Sequence, residues 1–325
     1  MSALTALFIG GNGIISSACS ALAVERGIDL TLLNRGTDST RPAIDGVKHI
    51  VGDADDLASA KLGEYDVVVN FRSFLPSAVA KDIALFGSRT AQYVYISSAS
   101  AYQKPVSRLP ITESTPLRNP WWQYSRDKIA SEDLLVAAYR EDGFPATIVR
   151  PSHTYDRTLI PLAGGWTQLD RMRRGEPVLV HGDGTSLWTL THNTDFAKAF
   201  VGLLGNPRAV GDVFQITSDE VHTWDAIARL FGDALGVEPE IVHVASDTIA
   251  RTIPEWGPEL WGDKAHSVVF DNSKVRALVP EYVATTPFWK GAREIVDWHL
   301  ASPERQVVDT KLNAQLDSLI TAARG

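Results

Sequence analysis

The segment ALFIGGNGIIS, residues 6–16, decides the fold predicted for this chain. Its apolar residues stop at glycines, and the residues that follow, as far as Arg26, recur with a helical period. The pattern predicts a strand, a tight turn and a helix whose first amide groups can hold an anion. Gly10 and Gly13 allow the close backbone approach that a pyrophosphate requires, and Ser16 stands where a third glycine is usual. Because such turns also join ordinary strands and helices, the dinucleotide interpretation depends on further elements.

The composition is typical of a globular protein with one large domain or two unequal lobes. The chain has 325 residues, of which 44% are hydrophobic and 22% charged. A net charge of −8 argues against a nucleic-acid partner, since such partners are bound by basic surfaces. The densest basic cluster, Arg171, Arg173 and Arg174, is interpreted as a solvated helix face.

Several kinds of segment and site are not predicted. The single Cys19 cannot form an internal disulfide and is interpreted as a small buried residue. The N-terminal residues lack the basic region of a signal peptide, and no apolar stretch is long enough to span a bilayer. The histidines lack the spacing of metal ligands. We therefore predict a cytoplasmic protein that binds neither a metal, a nucleic acid nor a membrane.

Strands and helices alternate through the first half of the chain. Further strands are predicted over residues 29–33, 49–51, 66–71 and 93–97, with helices from Asp53 through Leu62 and over residues 77–86. The fourth strand is continuously apolar, which suits a parallel sheet covered on both faces. The alternation predicts an α/β fold of Rossmann type, with a doubly wound parallel sheet.

The end of the second strand meets the adenosine ribose in dinucleotide-binding folds. An acidic residue there would repel a 2′-phosphate, but this chain has neutral Asn34 followed by cationic Arg35. The pair favours NADP slightly over NAD, with an ordinary exposed turn arginine as the alternative. After the third strand, Asp53 is either only a helix N-cap or also an acceptor for the adenine amino group.

Side chains capable of proton transfer follow at the carboxyl end of the fifth strand, where ligands bind in such sheets. Ser98, Ser100 and Tyr102 lie in this segment, while Tyr124 and Lys128 lie one turn apart on the next helix, over residues 124–140. An ammonium group near a phenol lowers the pKa of the phenol towards the range useful for proton transfer. Each motif alone is weak, but their order and spacing together indicate a catalytic set.

Gly10, Gly13, Ser98, Tyr124 and Lys128 together resemble the extended short-chain dehydrogenase/reductase superfamily, in its NAD-dependent epimerase/dehydratase branch. The resemblance covers most of the chain. It implies that Tyr124 is the acid/base, that Lys128 holds the cofactor ribose and that Ser98 hydrogen-bonds the reacting oxygen. The residues expected at the NAD or NADP cofactor are Gly10, Asn12, Gly13, Ile14, Asn34, Arg35, Asp53, Ala54, Asn70, Phe71, Arg72, Lys128 and Pro151.

Other positions depart from the family pattern and bear on the substrate. Ala99 and Ser100 replace the Asp-Glu pair of the dehydratases, which argues against 4,6-dehydration. Trp188 stands where nucleotide-sugar members commonly have an arginine for the diphosphate, and His153 stands where they have an asparagine. We therefore expect no tight binding of UDP- or dTDP-sugars. The predicted substrate contacts are Ser100, Tyr102, His153 and Trp188.

Two interleaved domains are predicted. A Rossmann domain covers residues 1–151 and is completed by about residues 185–220, whereas residues 152–325 mainly form a smaller substrate-binding lobe. Residues 187–192 and a helix over 193–204 are predicted to return to the cofactor sheet, and residues from Phe270 onward to build the lobe. Leu312, Leu316 and Leu319 mark an amphipathic helix, which docks either on its own fold or on a second subunit in a homodimer.

The leading functional hypothesis is an NAD(P)-dependent oxidoreductase or epimerase that acts on a hydroxyl or carbonyl of a sugar- or polyol-like small molecule. One alternative is a nucleotide-sugar 4-epimerase. The other is not an enzyme but a cofactor-sensing or RNA-binding member of the same superfamily, some of which have a similar Asn/Thr-Arg-Gly turn. The acidic net charge and the intact set of Ser98, Tyr124 and Lys128 favour an enzyme.

Overall fold

The computed structural model describes residues 3–36, 41, 44–60 and 62–325. The strands in these residues are β1 (Thr5–Ile9), β2 (Asp29–Asn34), β3 (Lys48–Val51), β4 (Tyr65–Asn70), β5 (Thr90–Ile96), β6 (Ala146–Pro151), β7 (His153–Tyr155), β8 (Val178–His181), β9 (Leu187–Trp188), β10 (Leu190–His192), β11 (Val213–Ile216), β12 (His222–Thr223) and β13 (Ile241–Val244). The helices are α1 (Ile14–Glu25), α2 (Pro76–Phe86), α3 (Gln123–Asp142), α4 (Trp166–Arg174), α5 (Asn193–Leu203), α6 (Trp224–Leu235), α7 (Ser246–Thr252), α8 (Gly257–Glu259), α9 (Ser273–Leu278), α10 (Phe288–Leu300) and α11 (Thr310–Arg324). A π-helical turn (Leu260–Lys264) follows α8 directly.

A parallel sheet of seven strands, in the order β11-β6-β5-β4-β1-β2-β3, forms the centre of the first domain. Successive side chains of a strand point to opposite faces, so Leu7 joins the core beneath α2 and α3, while Phe8 joins the core beneath α1 and α5. Cys19 of α1 is fully buried in that second core, as predicted. The doubly wound α/β fold predicted from the sequence is confirmed.

The helix predicted from Asp53 through Leu62 is wrong. The described residues of this segment form turns, and Lys61 lies outside the described residues. The Asp53 carboxylate accepts the backbone N–H of Asp55 at 3.0 Å. This local bond offers the backbone an alternative to a helix, which is why aspartate favours turns.

The return of the chain to the central sheet also differs from the prediction. Residues 187–192 form β9 and β10, which pair with β12 and β7 in separate two-stranded sheets. The strand that joins the central sheet is β11, paired in parallel with β6, and α5 packs against α1 as expected. Part of the segment after Phe270 belongs here too, because Val275, Val279 and Tyr282 are buried in the same core as α5.

The second lobe is built around α4, α6, α10 and the pair β8 and β13. The predicted C-terminal helix is α11, and it docks on its own fold: Leu316 and Leu319 are buried against residues that include Leu179 and Val244. In the described part of the chain, no helix is long and apolar enough to cross a membrane.

The basic cluster of α4 is only partly a solvated face. Arg173 and Arg174 are exposed as expected, but Arg171 is buried. The Arg171 guanidinium lies 2.7 Å from a carboxylate oxygen of Asp317 in α11 and donates to the Pro177 carbonyl at 2.8 Å. Arg171 therefore joins α4 to α11 and is not available to a ligand.

Candidate active site

Two adjoining cavities open at the carboxyl edge of the central sheet. The larger cavity has a volume of about 760 Å³ and follows the glycine turn, the end of β2 and the end of β4. The smaller cavity has a volume of about 230 Å³ and lies between the end of β5 and the second lobe. Four residues line both cavities, which therefore meet at Ser98, Tyr124, Pro151 and Ser152.

The glycine turn at the start of α1 has the geometry that a dinucleotide requires. Gly10 has a φ of +82°, and a Cβ added there would lie 2.6 Å from Cγ of Arg72. The Ser16 hydroxyl donates to the Gly10 carbonyl at 2.7 Å and accepts the Gly13 N–H at 2.7 Å. Ser16 thus fixes the turn from within, and the first turn of α1 faces the larger cavity.

Nearly all of the residues expected at the cofactor line the larger cavity. They are Gly10, Asn12, Gly13, Ile14, Asn34, Arg35, Asp53, Ala54, Phe71, Arg72, Lys128 and Pro151. Asn70 instead lies behind the wall, where its amide donates to Asp82 at 2.8 Å and its oxygen accepts the Arg72 N–H at 2.8 Å. Asn70 therefore supports the strand end rather than facing the cavity.

Sequence reasoning missed Arg41, which also lines the larger cavity. Its guanidinium donates to the Asn12 carbonyl at 3.0 Å and to the Asp156 carboxylate at 2.5 Å. This ion pair joins the segment after β2 to the segment after β7. No local pattern could have indicated it, because the two partners are far apart in the sequence.

Ser98, Tyr124 and Lys128 are brought together at the junction of the two cavities. Tyr124 and Lys128 occupy the first two turns of α3, and Ser98 follows β5. The Ser98 and Ser100 hydroxyls lie 2.9 Å apart. The Lys128 ammonium donates to the carbonyls of Ile96 at 2.7 Å and Ser73 at 3.2 Å, and it lies 5.8 Å from the centre of the Tyr124 ring.

The electrostatics of this set differ from the expectation in one respect. Burial raises the pKa of Tyr124, and the negative charge of Asp263 raises it further, while a hydrogen bond with Ser98 opposes both effects. The pKa of Tyr124 is thus raised, where the sequence predicted a lowered one, and the contribution of the Lys128 charge stays a prediction. Burial lowers the pKa of Lys128 itself to about 7, against the opposing charge of Glu132.

Three of the four predicted substrate contacts line the smaller cavity: Ser100, His153 and Trp188. The fourth, Tyr102, was predicted wrongly, because it is fully buried and lines neither cavity. Its hydroxyl donates to Gln215 at 2.9 Å, and the Arg150 guanidinium lies 4.7 Å from the centre of its ring. Tyr102 follows a 3-10 turn over Ala99–Ala101, and its ring lies in the core of the second lobe rather than in the cavity.

The rest of the smaller cavity comes from residues that were not predicted as substrate contacts. They are Ala99, Trp122, Ser152, Glu259, Asp263, Val268 and Phe270. No lysine or arginine side chain lines this cavity within the described residues. Polar groups, aromatic rings and two carboxylates therefore surround whatever binds beside Ser98 and Tyr124.

The chain is similar to several characterised proteins. It is 28% identical over 254 residues to a chloroplast stem-loop binding protein of 41 kDa from Arabidopsis thaliana, covering 73% of this chain and 65% of that protein. It is 28% identical over 194 residues to a 2′-dehydrokanamycin reductase from Streptomyces kanamyceticus, covering 58% and 54%. It is 31% identical over 310 residues to a UDP-glucose 4-epimerase from Lactobacillus helveticus, covering 78% and 92%. The chain thus spans under two thirds of the length of the first two relatives.

Solved structures of low sequence identity share the fold. An epimerase from Methanothermobacter thermautotrophicus superposes with a TM-score of 0.74 at 15% identity, covering 93% of this chain and 94% of that chain. A UDP-glucuronic acid 4-epimerase from Bacillus cereus superposes with a TM-score of 0.72 at 17% identity, covering 92% and 99%. The family model described as the NAD dependent epimerase/dehydratase family matches residues 6–217. The chain therefore belongs to the NAD-dependent epimerase/dehydratase family.

Proposed function

We propose that this protein is an NAD(P)-dependent oxidoreductase or epimerase that acts on a hydroxyl or carbonyl of a sugar- or polyol-like small molecule. One observation carries the proposal: Ser98 and Tyr124 line both cavities. A substrate oxygen in the smaller cavity can contact both hydroxyls while its carbon faces the larger cavity. The residues around the larger cavity fit a dinucleotide. A side chain at position 10 would clash with Arg72, and the glycine found there lets the backbone approach a pyrophosphate closely.

The proposed chemistry assigns one role to each polar side chain. The bound nicotinamide supplies the hydride acceptor for oxidation and the hydride donor for reduction. As an alcohol carbon loses its hydride, the Tyr124 phenolate takes the hydroxyl proton, and in the reverse direction the Tyr124 phenol returns it. Ser98 donates a hydrogen bond to the same oxygen. Lys128 lines the larger cavity, where the Ile96 and Ser73 carbonyls hold its ammonium, and its proposed role is to stabilise the Tyr124 phenolate.

The experiment is a substrate screen with the purified full-length chain. Sugars, polyols and their lactones are mixed with NAD⁺, NADP⁺, NADH or NADPH, and the nicotinamide absorbance is followed. At least one uncharged polyol-like compound is expected to change it. Because epimerization leaves no net change in the cofactor, each sugar is also analysed by NMR for a change at a stereocentre. The proposal is contradicted if no compound of the panel changes the nicotinamide absorbance and none changes at a stereocentre.

NADP is the proposed preferred cofactor. Asn34 brings no negative charge to the end of β2, and Arg35 lines the larger cavity beside it. The Asn34 oxygen accepts the Gly36 N–H at 3.0 Å and so holds the turn that carries Arg35. Arg35 can pair with a 2′-phosphate through a charge-assisted hydrogen bond.

A nucleotide-sugar 4-epimerase is the second candidate, because the UDP-glucose 4-epimerase relative is covered over 92% of its length. The smaller cavity argues against it. Trp188 and His153 offer no cation to a diphosphate. Among the described residues, no lysine or arginine lines the smaller cavity. Calorimetry with UDP-glucose and the cofactor-loaded protein separates the two candidates. An enzyme for sugar- or polyol-like small molecules is expected not to bind UDP-glucose with a micromolar dissociation constant, whereas a nucleotide-sugar 4-epimerase is expected to do so.

RNA binding is the third candidate, since one relative is described as a stem-loop binding protein. The net charge of −8 does not favour a phosphate backbone. A stem-loop RNA titration at low and moderate salt is expected to show no binding. Tight binding that weakens steeply with salt would promote this candidate.

A further inference from the structure

Two carboxylates line the smaller cavity together with Ser98 and Tyr124. Glu259 ends α8 and Asp263 lies in the π-helical turn that follows, so that both side chains line the cavity. We call these two residues the acidic wall. Tyr124 lines the same cavity as the acidic wall, and the negative charge of Asp263 raises the pKa of Tyr124.

The cations that neutralise the acidic wall stand behind it. The Lys104 ammonium lies 3.2 Å from Asp263, and Lys104 is fully buried outside the cavity lining. Lys264 pairs with Glu259 and is likewise absent from the lining. A ligand in the cavity therefore meets the carboxylate oxygens first. Because an ionised carboxylate accepts several hydrogen bonds, each can accept one from a ligand as well.

His153 and Trp188 line the same cavity and contact each other. The Trp188 indole N–H donates to Nδ1 of His153 at 3.1 Å. Burial and the charge of Lys264 lower the pKa of His153 to about 3, so its ring is neutral near pH 7. With Nδ1 accepting, the proton resides on Nε2, which makes this atom a donor. His153 therefore brings a donor to the cavity that the carboxylates of the acidic wall also line.

We propose that Glu259 and Asp263 determine specificity: they accept hydrogen bonds from hydroxyl or ammonium groups of the substrate and exclude phosphate and carboxylate groups. The proposal rests on the proposed function for the identity of the site and names the substrate class within it. The two carboxylates of the acidic wall attract hydroxyl and ammonium groups and repel anions. An anionic ligand would be buried against them, with no cation among the described residues that line the cavity to neutralise it. An amino-bearing polyol is the favoured ligand, followed by a neutral one.

The test compares three probes on one sugar ring. Glucosamine, glucose and glucose 6-phosphate are titrated into the protein of residues 1–325 loaded with NADP⁺, and dissociation constants are measured by ligand-observed NMR. Glucosamine is expected to bind about tenfold or more tightly than glucose 6-phosphate, as charge complementarity at short range predicts. Glu259→Gln is expected to reduce this ratio several-fold. Glu255→Gln is the matched control, because Glu255 is exposed and lines neither cavity.

Glu259→Gln carries the test because the Glu259 side chain is 39% exposed and glutamine keeps an oxygen that can accept from the Lys264 ammonium. Asp263→Asn would leave the fully buried Lys104 without its partner and so destabilise the protein. Equal affinity for the three probes, tighter binding of the phosphate, no binding of any probe, or equal effects of the two glutamate variants would each overturn the proposal. Binding of the probes does not require turnover. If the substrate screen finds no activity, that result counts against the proposed function, and the three dissociation constants still test the role of the acidic wall.

Discussion

Tyr124 stands where the two cavities meet, and the surroundings of its hydroxyl set its chemistry. Its phenol is held neutral by burial and by the charge of Asp263, and only Ser98 opposes them. A neutral phenol suits the donation of a proton to a carbonyl oxygen. For oxidation the same phenol must lose its proton, and we expect the positive charge of Lys128, 5.8 Å from the centre of the ring, to favour that loss.

Tyr124→Phe is expected to reduce turnover by about 10²–10⁴-fold, the usual contribution of a general acid or base. Cofactor affinity should change little, because the ring and its packing remain. Steady-state kinetics on the substrate found by the screen, together with nicotinamide fluorescence, measure both quantities. Tyr139→Phe is the control, since Tyr139 is exposed near the other end of α3. Near-normal turnover in Tyr124→Phe would remove the assignment.

Lys128 gives the stability of the cofactor-free protein a defined pH dependence. Its pKa is about 7 in the fold, against an ordinary value of about 10.4 in the unfolded chain. Between these values the unfolded chain binds the proton more strongly, so this residue makes the free energy of unfolding rise with pH, by at most about 1.4 kcal/mol per unit. The cost of burying the charge is therefore full below pH 7 and is relieved towards pH 10.

The variant Lys128→Met isolates this effect, because other groups titrate equally in both proteins. Its stability advantage over the natural sequence is expected to shrink steadily from pH 7 to pH 9.5 in urea denaturation. A difference that does not vary with pH would contradict a lowered pKa for Lys128.

Arg35→Ala tests the cofactor preference. We expect the affinity for NADPH to fall by roughly tenfold to a hundredfold, as loss of a charged hydrogen bond predicts, with no change for NADH. Fluorescence titration of both cofactors measures the effect, with Arg89→Ala as the control because Arg89 is exposed and lines neither cavity. If NADH binds more tightly and neither affinity responds to Arg35→Ala, then Arg35 is only a turn residue.

At the scale of elements, the sequence predicted well what depends on neighbours in the chain. The turn at Gly10 is closed by Ser16, and Tyr124 and Lys128 share a helix face, so spacing alone indicated them. Asp263 enters the smaller cavity through a short π-helical turn whose sequence has no distinctive period. Only tertiary packing brings it into the same cavity as Tyr124, and for the same reason no local pattern indicated Arg41.

Helix α11 supports the segment that carries the acidic wall. Leu316 is fully buried in a core that also contains Leu260, the first residue of the π-helical turn. Leu316→Ala is expected to cost about 2–5 kcal/mol of the free energy of unfolding, because it removes buried methyl groups and leaves a cavity. Urea denaturation measures this loss. Leu300→Ala, at an exposed leucine, should cost far less, and equal losses would contradict the docking of α11.

At the scale of the whole molecule, the central sheet is not complete within the first half of the chain. Strand β11 pairs with β6 along Val213–Ile216, and α5 covers one face of the sheet. Phe196, Phe200 and Phe214 are fully buried in the core that also contains Phe8. A chain ending at Pro151 would expose this core and leave β6 as an unpaired edge.

A fragment of residues 1–151 is therefore expected to lack a cooperative unfolding transition, whereas a fragment of residues 1–220 should recover part of the sheet but remain less stable than the whole chain. The second fragment still lacks Val275, Val279 and Tyr282, which close the same core from the segment around α9. Chemical denaturation followed by circular dichroism compares the fragments with the full chain. Phe214→Ala in the full chain provides a second measurement, since it should cost about 3–5 kcal/mol by leaving a cavity beside β6. A cooperative transition in the 1–151 fragment, at the same denaturant concentration as in the full chain, would show that the dinucleotide half folds without the residues that interleave with it.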